Sequence, residues 1–492
     1  MLSQVGDQIA RRGVDEPAVA NHDGGHRLVA VGMAANDRCV AGVIPDVVFD
    51  AFDAELVELA LQHGAEAAAR PPVQIYLRVE GFTELSHIVS HVGYNDIGWD
   101  LFPFWSLPCA GPPRPWHTVS MLSSNVDSFV YLDRLNRVRD AMSELNIDTL
   151  LLSVGHDLPY LTGYTAMPLE RLTMLVVPRD AGATLVIPAL EAPRVRELPG
   201  VFDLLPWGET QDPTTIVARL AAGAAHVAVG DQMWARFLVE LLGQLPGADF
   251  TRAVDVVGPL RMAKDAAEID ALAAAGAAVD RIAAELQRGE IPLVGRTEAQ
   301  VSAHLGQRIL EEGHEKVNFA IVAAGENAAS PHHHPGGRVI AENEIVLCDF
   351  GGTMAGYCSD TTRCVVTGEP SADLVEAYAV LHEAQRVGVE AGVAGTQCQE
   401  VDRATRKVIA DAGFGEFFIH RTGHGIGMEE HEDPYIVEGN ALPLSAGHAY
   451  SVEPGIYVPG KWGMRLEDIV VATADGPRRL NNSDHGLISV NA

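Results

Sequence analysis

Four carboxylates and one imidazole, Asp349, Asp360, His424, Glu453 and Glu467, are spread over the last third of a 492-residue chain, and their types suit them to hold two adjacent divalent cations. Packing four ionised acids together without cations is strongly unfavourable, because buried like charges repel and lose their hydration. Two divalent ions remove that cost. Such a pair can also hold a hydroxide at neutral pH and polarise a carbonyl, which is hydrolytic chemistry. Oxygen-rich ligation with a single nitrogen favours manganese, with cobalt, iron and zinc as alternatives, and the scarcity of sulfur argues against a structural zinc cluster. Any one of these acids alone reads as a turn cap or a solvated strand residue; the joint pattern carries the assignment.

The elements that must position these residues are strands and tight turns. Asp349 ends the apolar run Ile345-Val346-Leu347-Cys348, and a β-branched run resumes over residues 361–366 after the glycine-rich stretch Gly351-Gly352-Thr353-Met354-Ala355-Gly356. This is a hairpin signal. It predicts Asp349 opposite Asp360, with the turn centred between Met354 and Ala355, so that both aspartates point the same way. A second hairpin is expected around Val458-Pro459-Gly460-Lys461, with Glu453 facing Glu467 across a turn centred on Gly460. Alternation then puts Arg465 on the face of Glu467, looking into the same cavity, and Leu466 and Asp468 on the other. His424 lies in Thr422-Gly423-His424-Gly425-Ile426-Gly427, where alternating glycines allow close approach to the imidazole.

Read together, these stretches resemble the pita-bread metallopeptidases, on the branch holding proline dipeptidase (prolidase) and aminopeptidase P. The matching segments are Asn327-Ala328-Ala329-Ser330-Pro331-His332, Asp349-Phe350-Gly351-Gly352 with Asp360-Thr361-Thr362-Arg363, and His420-Arg421-Thr422-Gly423-His424-Gly425-Ile426-Gly427 with His431-Glu432. Val452-Glu453-Pro454-Gly455-Ile456-Tyr457 and Arg465-Leu466-Glu467-Asp468 complete the set, in the family's order and spacing. The resemblance implies that Asp360 and Glu467 bridge two metal ions, that Asp349 is terminal on one, and that His424 and Glu453 are terminal on the other. It also implies a water or hydroxide between the metals as nucleophile, with Glu453 as its proton acceptor. His332, His420 and His431 fall on family positions that line the substrate cleft and stabilise the tetrahedral intermediate. Tyr457 and Arg465 fall on positions that line the substrate pocket or hold its hydrogen bonds. His333 and His334 read as ordinary loop histidines.

Composition fits an enzyme of two or three domains, with 47% hydrophobic residues. A formal net charge of -31 makes nucleic acid and anionic membranes poor partners. Six cysteines without a CxxC spacing, three of them (Cys348, Cys358, Cys364) in the first hairpin, read as reduced thiols of a cytoplasmic protein. The N-terminal residues show no secretory signal, and no apolar run is long enough to span a bilayer.

The expected fold class is α+β, a pita-bread catalytic domain over residues 260–492 preceded by a creatinase-like α/β domain over 129–258. Helical patterns open at Ala266 and Glu298 and recur over 371–392 and 396–413, while 132–145 reads as helix and 149–152, 175–177, 184–187 and 226–229 as strands. Residues 1–120 match nothing assignable beyond a helix over 48–67, a strand over 73–77 and a proline-rich run ending at Trp116. Members of this branch begin close to the 132–145 helix, which makes Met121 a candidate true start; a small extra domain or dimer-contact arm is the competing reading. The leading function is hydrolysis of Xaa-Pro bonds in dipeptides or at peptide N-termini by a homodimer. The alternative is a creatinase-like or lyase-like enzyme, or a protein that uses the cleft for binding. Methionine aminopeptidase lacks the amino-terminal domain, which counts against its substrates.

Overall fold

The computed structural model describes residues 26–35, 38–40, 48–49 and 74–79 as strands and residues 123–490 without interruption. The chain divides into two units, Met1–Thr118 and Val119–Ala492. In the first, β1 (His26–Ala35) pairs antiparallel with β2 (Arg38–Val40), β3 (Val48–Phe49) and β4 (Gln74–Val79). The strand expected over 73–77 is β4. The helix expected over 48–67 begins instead with β3, where β-branched Val48 and aromatic Phe49 suit a pleated strand, and its remainder lies outside the described residues.

The second unit opens with α1 (Ser123–Glu144), nine residues earlier than the apolar periodicity suggests at its start. A six-stranded mixed sheet follows, in the order β10-β9-β5-β6-β7-β8. Its strands are β5 (Thr149–Leu152), β6 (Met174–Pro178), β7 (Ala183–Pro188), β8 (Phe202–Trp207), β9 (His226–Val229) and β10 (Asp249–Arg252). Every residue of β5 is buried, as both faces of a sandwiched sheet require. Helices α2 (Asp157–Thr162), α3 (Pro213–Leu220), α4 (Ala235–Gln244) and α5 (Val254–Met262) connect and cover it. Asp212 caps α3 by accepting from the Thr214 amide, with Pro213 at the first helical position.

The remainder holds two long helices started by reciprocal caps. Asp265 and Glu268 open α6 (Ala266–Gln287), and Thr297 and Gln300 open α7 (Glu298–Glu311). Around them lies an α+β arrangement of two main sheets with α8 (Ala372–Ala391) and α9 (Cys398–Asp411) packed alongside. One sheet runs β11 (Lys316–Ala324), β12 (Ile345–Met354), β14 (Thr361–Thr367) and β22 (Ile488–Val490), with β13 (Tyr357–Cys358) pairing β12. The other runs β16 (Glu432–Ile436), β15 (Gly423–Gly425), β17 (Ala449–Val452), β20 (Asp468–Thr473) and β21 (Gly476–Arg479). A two-stranded ribbon, β18 (Gly455–Val458) with β19 (Trp462–Arg465), extends from the second. Cys348, Cys358, Cys364 and Cys398 are buried free thiols. Among the described residues no helix is long and apolar enough to cross a membrane.

The first hairpin forms, but its register differs from expectation. Asp349 faces Thr362 rather than Asp360, because the turn is the pair Ala355-Gly356, one step further along, with φ of 50° and 79°. Two successive positive φ values make the tight turn whose twist matches the strands. The displacement is two residues along the partner strand, so the pleat keeps Asp360 on the face of Asp349. The second hairpin has the expected register: Gly455 faces Arg465 in the ribbon and Val452 faces Asp468 in the sheet beyond it. Glu453 and Glu467 sit where the chain passes from sheet to ribbon.

Candidate metal centre

Each predicted ligand stands in or next to a strand. Asp349 is within β12, Asp360 precedes β14, His424 is in β15, Glu453 follows β17 and Glu467 precedes β20. Asp360, His424 and Glu467 are buried and offer ligand atoms that all lie within 4.8 Å of one another. Glu453 adjoins them, its Oε1 3.2 Å from His424 Nε2, which also lies 3.7 Å from Asp360 Oδ2. Asp349 is turned partly aside: its Oδ2 accepts from Arg465 Nη2 at 2.5 Å, while its Oδ1 is buried without a hydrogen-bond partner. Glycines make the convergence sterically feasible. A Cβ at Gly423 would stand 1.8 Å from the Ser451 carbonyl oxygen and one at Gly425 2.2 Å from that of Asp433.

The donor set fits divalent cations on three observations. His424 Nδ1 lies 3.0 Å from the Gly425 carbonyl oxygen and must donate to it, so in the neutral ring the Nε2 lone pair faces two carboxylates. Lone pair against carboxylate is repulsive, and a divalent cation between them turns both into ligands. Burial, then repulsion from Glu467 and Asp349, pushes the Asp360 carboxyl well above the usual range, and burial with Glu453 and Asp349 does the same to Glu467. The orphaned Asp349 oxygen is the third observation.

Two hydroxyls that the sequence reading did not single out aim the carboxylates. Thr362 Oγ1 donates to Glu467 Oε2 at 2.6 Å and accepts from Arg465 Nε at 3.1 Å. Ser451 Oγ donates to Glu453 Oε1 at 3.0 Å while accepting the His424 amide at 3.0 Å. Thr362 shares a pleat face with Asp360 and Ser451 with Glu453, and that parity was the available signal. Buried Asp402 was invisible: it accepts from the Thr422 amide and hydroxyl at 3.0 and 2.7 Å and so anchors the turn into His424.

Arg465 does look into the centre. Besides Asp349 and Thr362 it donates through Nη1 to the Tyr457 hydroxyl at 2.8 Å. His420 Nδ1 donates to the Arg421 carbonyl oxygen at 2.7 Å, so its Nε2 accepts the Tyr457 hydroxyl at 2.9 Å. Burial holds His420 below its ordinary pKa, which keeps this arrangement neutral. Both its nitrogens are therefore engaged. The His431 ring lies against that of His424, tilted by 45° with centroids 3.9 Å apart, and desolvation, then His424, lowers its pKa to about 4. His332 is exposed and lies close enough to His431 to contribute to that depression. His333 is no idle loop residue: its Nε2 lies 2.8 Å from Glu298 Oε2, and fully buried Glu298 also accepts from the Ala324 amide and Asn327 Nδ2. Glu298 thus ties down the loop that carries His332, whereas His334 is exposed.

Comparison with known proteins gives family matches over two consecutive stretches of the chain. Residues 264–474 match metallopeptidase family M24, and residues 134–263 match the creatinase/prolidase N-terminal domain. A probable dipeptidase, PepE, of Mycobacterium tuberculosis is 43% identical over 378 residues, covering 75% of this chain and 99% of that protein. The chain belongs to metallopeptidase family M24. Within it the relatives place the chain on the pita-bread prolidase branch. An Xaa-Pro dipeptidase of Lactobacillus helveticus is 35% identical over 364 residues, covering 72% of this chain and 98% of the relative. The dipeptidase PepE structure from Mycobacterium ulcerans superposes with a TM-score of 0.71 at 45% identity, covering 74% of this chain and 99% of the other. A prolidase from Thermococcus sibiricus gives 0.69 at 32% identity, covering 73% and 99%. Membership of this M24 family implies divalent metal ions.

Proposed function

We propose that this protein is a dinuclear-metal peptidase that hydrolyses Xaa-Pro bonds, in dipeptides or at peptide N-termini, and that it works as a cytoplasmic homodimer. The observation that carries the reading is the buried convergence of Asp360, His424 and Glu467, with Glu453 and Asp349 beside them, inside the M24 match. The names of the relatives, dipeptidase and Xaa-Pro dipeptidase, favour dipeptides. Proline at the second position removes an amide hydrogen and stiffens the substrate, so a dedicated pocket suits it.

In this reading Asp349, Asp360, His424, Glu453 and Glu467 hold two divalent ions, with manganese favoured by the oxygen-rich donor set. When bound, the ions supply Lewis acidity and lower the pKa of water. Glu453, oriented by Ser451, accepts the proton of the attacking water and passes it to the leaving proline nitrogen. His431, neutral at working pH, donates its ring N–H to the oxyanion with His332 nearby. His420 acts through Tyr457, which it holds together with Arg465 on the cleft wall.

His332→Ala and His431→Ala are therefore expected to retain metal while kcat falls by about a hundredfold or more, the range for a lost transition-state partner. His424→Ala should instead weaken metal binding. Unchanged turnover in the first two variants would remove those histidines from the mechanism. The function itself is tested with the full chain, supplied with manganese, on Ala-Pro, Leu-Pro, their Xaa-Pro-Yaa extensions and matched peptides without proline. Release of proline that stops on chelation is expected. Absence of cleavage of every Xaa-Pro peptide would sink the assignment. Light scattering in solution reads the dimer.

A further inference from the structure

His431 sits on a segment that ion pairs hold from both matched regions of the chain. The residue is exposed on one side while its ring lies against His424, and β16 begins at the next residue. Across residues 427–431 the backbone ties are few: the Cys358 amide to the Gly427 carbonyl at 2.8 Å, the Gly427 amide to the Glu429 carbonyl at 3.1 Å, and the Cys358 thiol to the Met428 carbonyl at 3.5 Å. Met428 packs against the neighbouring cores, and the acids on either side of His431 are held by ion pairs. Arg261, in the last turn of α5 and 9% exposed, donates through Nη1 to Asp157 Oδ1 at 2.8 Å and through Nη2 to Glu429 Oε2 at 3.0 Å and to Glu432 Oε2. Lys264 Nζ donates to the other oxygen of Glu432 at 2.5 Å, and Gln232 Nε2 to Glu429 Oε1 at 2.5 Å. Gly427 makes room for this: a Cβ there would meet Glu432 Oε1 at 2.6 Å and Lys264 Cε at 3.0 Å.

The two acids so held, Glu429 and Glu432, bracket His431. Arg261 stands at the junction of the two matched regions, since one ends at residue 263 and the other begins at 264. Asp157 and Gln232 belong to the first region and the His431 segment to the second. A fork of guanidinium donors suits this bridging, because its planar N–H groups engage several carboxylates at fixed angles. We propose that Arg261, assisted by Lys264, is a positioning residue for the reaction: by holding Glu429 and Glu432 it fixes the 427–433 segment so that His431 faces the metal centre. The amino-terminal α/β region thereby becomes part of the machinery that aims a group at the substrate. This rests on the role given to His431 under the proposed function.

The test uses the full chain with Arg261→Met and the milder Glu429→Gln, each alone and combined with His431→Ala. Two readouts are taken: hydrogen exchange of peptides covering 427–433, and kcat and KM on Ala-Pro. Exchange in 427–433 should rise by about threefold or more, with peptides of β12 and β20 unchanged. In Arg261→Met kcat should fall by about ten- to a hundredfold with KM and metal content little changed, the scale for a catalytic group displaced by an ångström. Added to His431→Ala, neither variant should lower kcat further, since the effect passes through His431. Unchanged exchange in 427–433, a rise spread equally over β12 and β20, or a kcat loss that multiplies with His431→Ala would each overturn the proposal. Should Arg261→Met not fold, Glu429→Gln decides by the same criteria. The exchange result stands by itself if the wild-type chain cleaves no Xaa-Pro peptide, an outcome that would count against the proposed function alone.

Discussion

Asp360→Asn is expected to abolish peptide hydrolysis and to leave the purified protein nearly free of metal, yet to make the metal-free protein more stable than the metal-free wild type. The two effects share a cause. Asp360 is buried beside Glu467 and Asp349, and burial with their repulsion holds its carboxyl well above the usual range. Without cations the native state therefore disfavours the charged form of this carboxyl relative to the unfolded chain, a cost at neutral pH that the amide removes. With cations the sign reverses, because the wild type gains the free energy of metal binding, which the variant loses with its ligand. Thermal melts with chelator and with manganese, alongside metal analysis, read both halves. Full metal occupancy with retained turnover would reject the two-metal reading, and an unchanged melt in chelator would reject the electrostatic account.

How far the centre was legible in the sequence differs between its two hairpins for a physical reason. The pair Glu453 and Glu467 could be registered because Pro459-Gly460 marks one turn, and Gly460 takes the positive φ of 70° that it requires. The glycine-rich run before Asp360 marks no single turn, and the left-handed position fell to Ala355, a residue that rarely adopts it. The register was misplaced by two, but the faces survived because the pleat repeats every two residues. Helices α8 and α9 and strands β5 and β9 were similarly readable from local pattern alone. What stayed hidden depends on distant partners. Arg261 reaches Glu432 across 171 positions and Glu298 reaches His333 across 35, and no local periodicity records such pairings. Thr362 and Ser451 lay between, on the right faces but with nothing in their type to set them apart from strand hydroxyls.

Behind the centre lies a buried ion pair whose loss should be felt in stability. Arg363 follows Thr362 on the opposite face of β14 and is fully buried, with its Nη2 2.8 Å from Asp468 Oδ1. Its Nη1 donates to the carbonyl oxygen of Glu467 at 2.6 Å and its Nε to that of Asp484 at 3.0 Å, so one guanidinium ties β14 to the start of β20 and to the segment between β21 and β22. Burial alone would raise the Asp468 carboxyl, but Arg363 and His485, the latter with Nε2 2.6 Å from Oδ2, hold it below its ordinary range. Arg363→Met leaves that carboxylate buried with its main cation gone, a change that typically costs about 3–5 kcal/mol, whereas removing both charges is far less harmful. Urea unfolding of the metal-free chain should therefore show a loss of that order for Arg363→Met, and a clearly smaller one for Arg363→Met combined with Asp468→Leu. Because the Glu467 carbonyl also loses its donor, manganese affinity should weaken in both variants. A double variant as unstable as the sum of the single changes would show that Arg363 acts by packing rather than by charge.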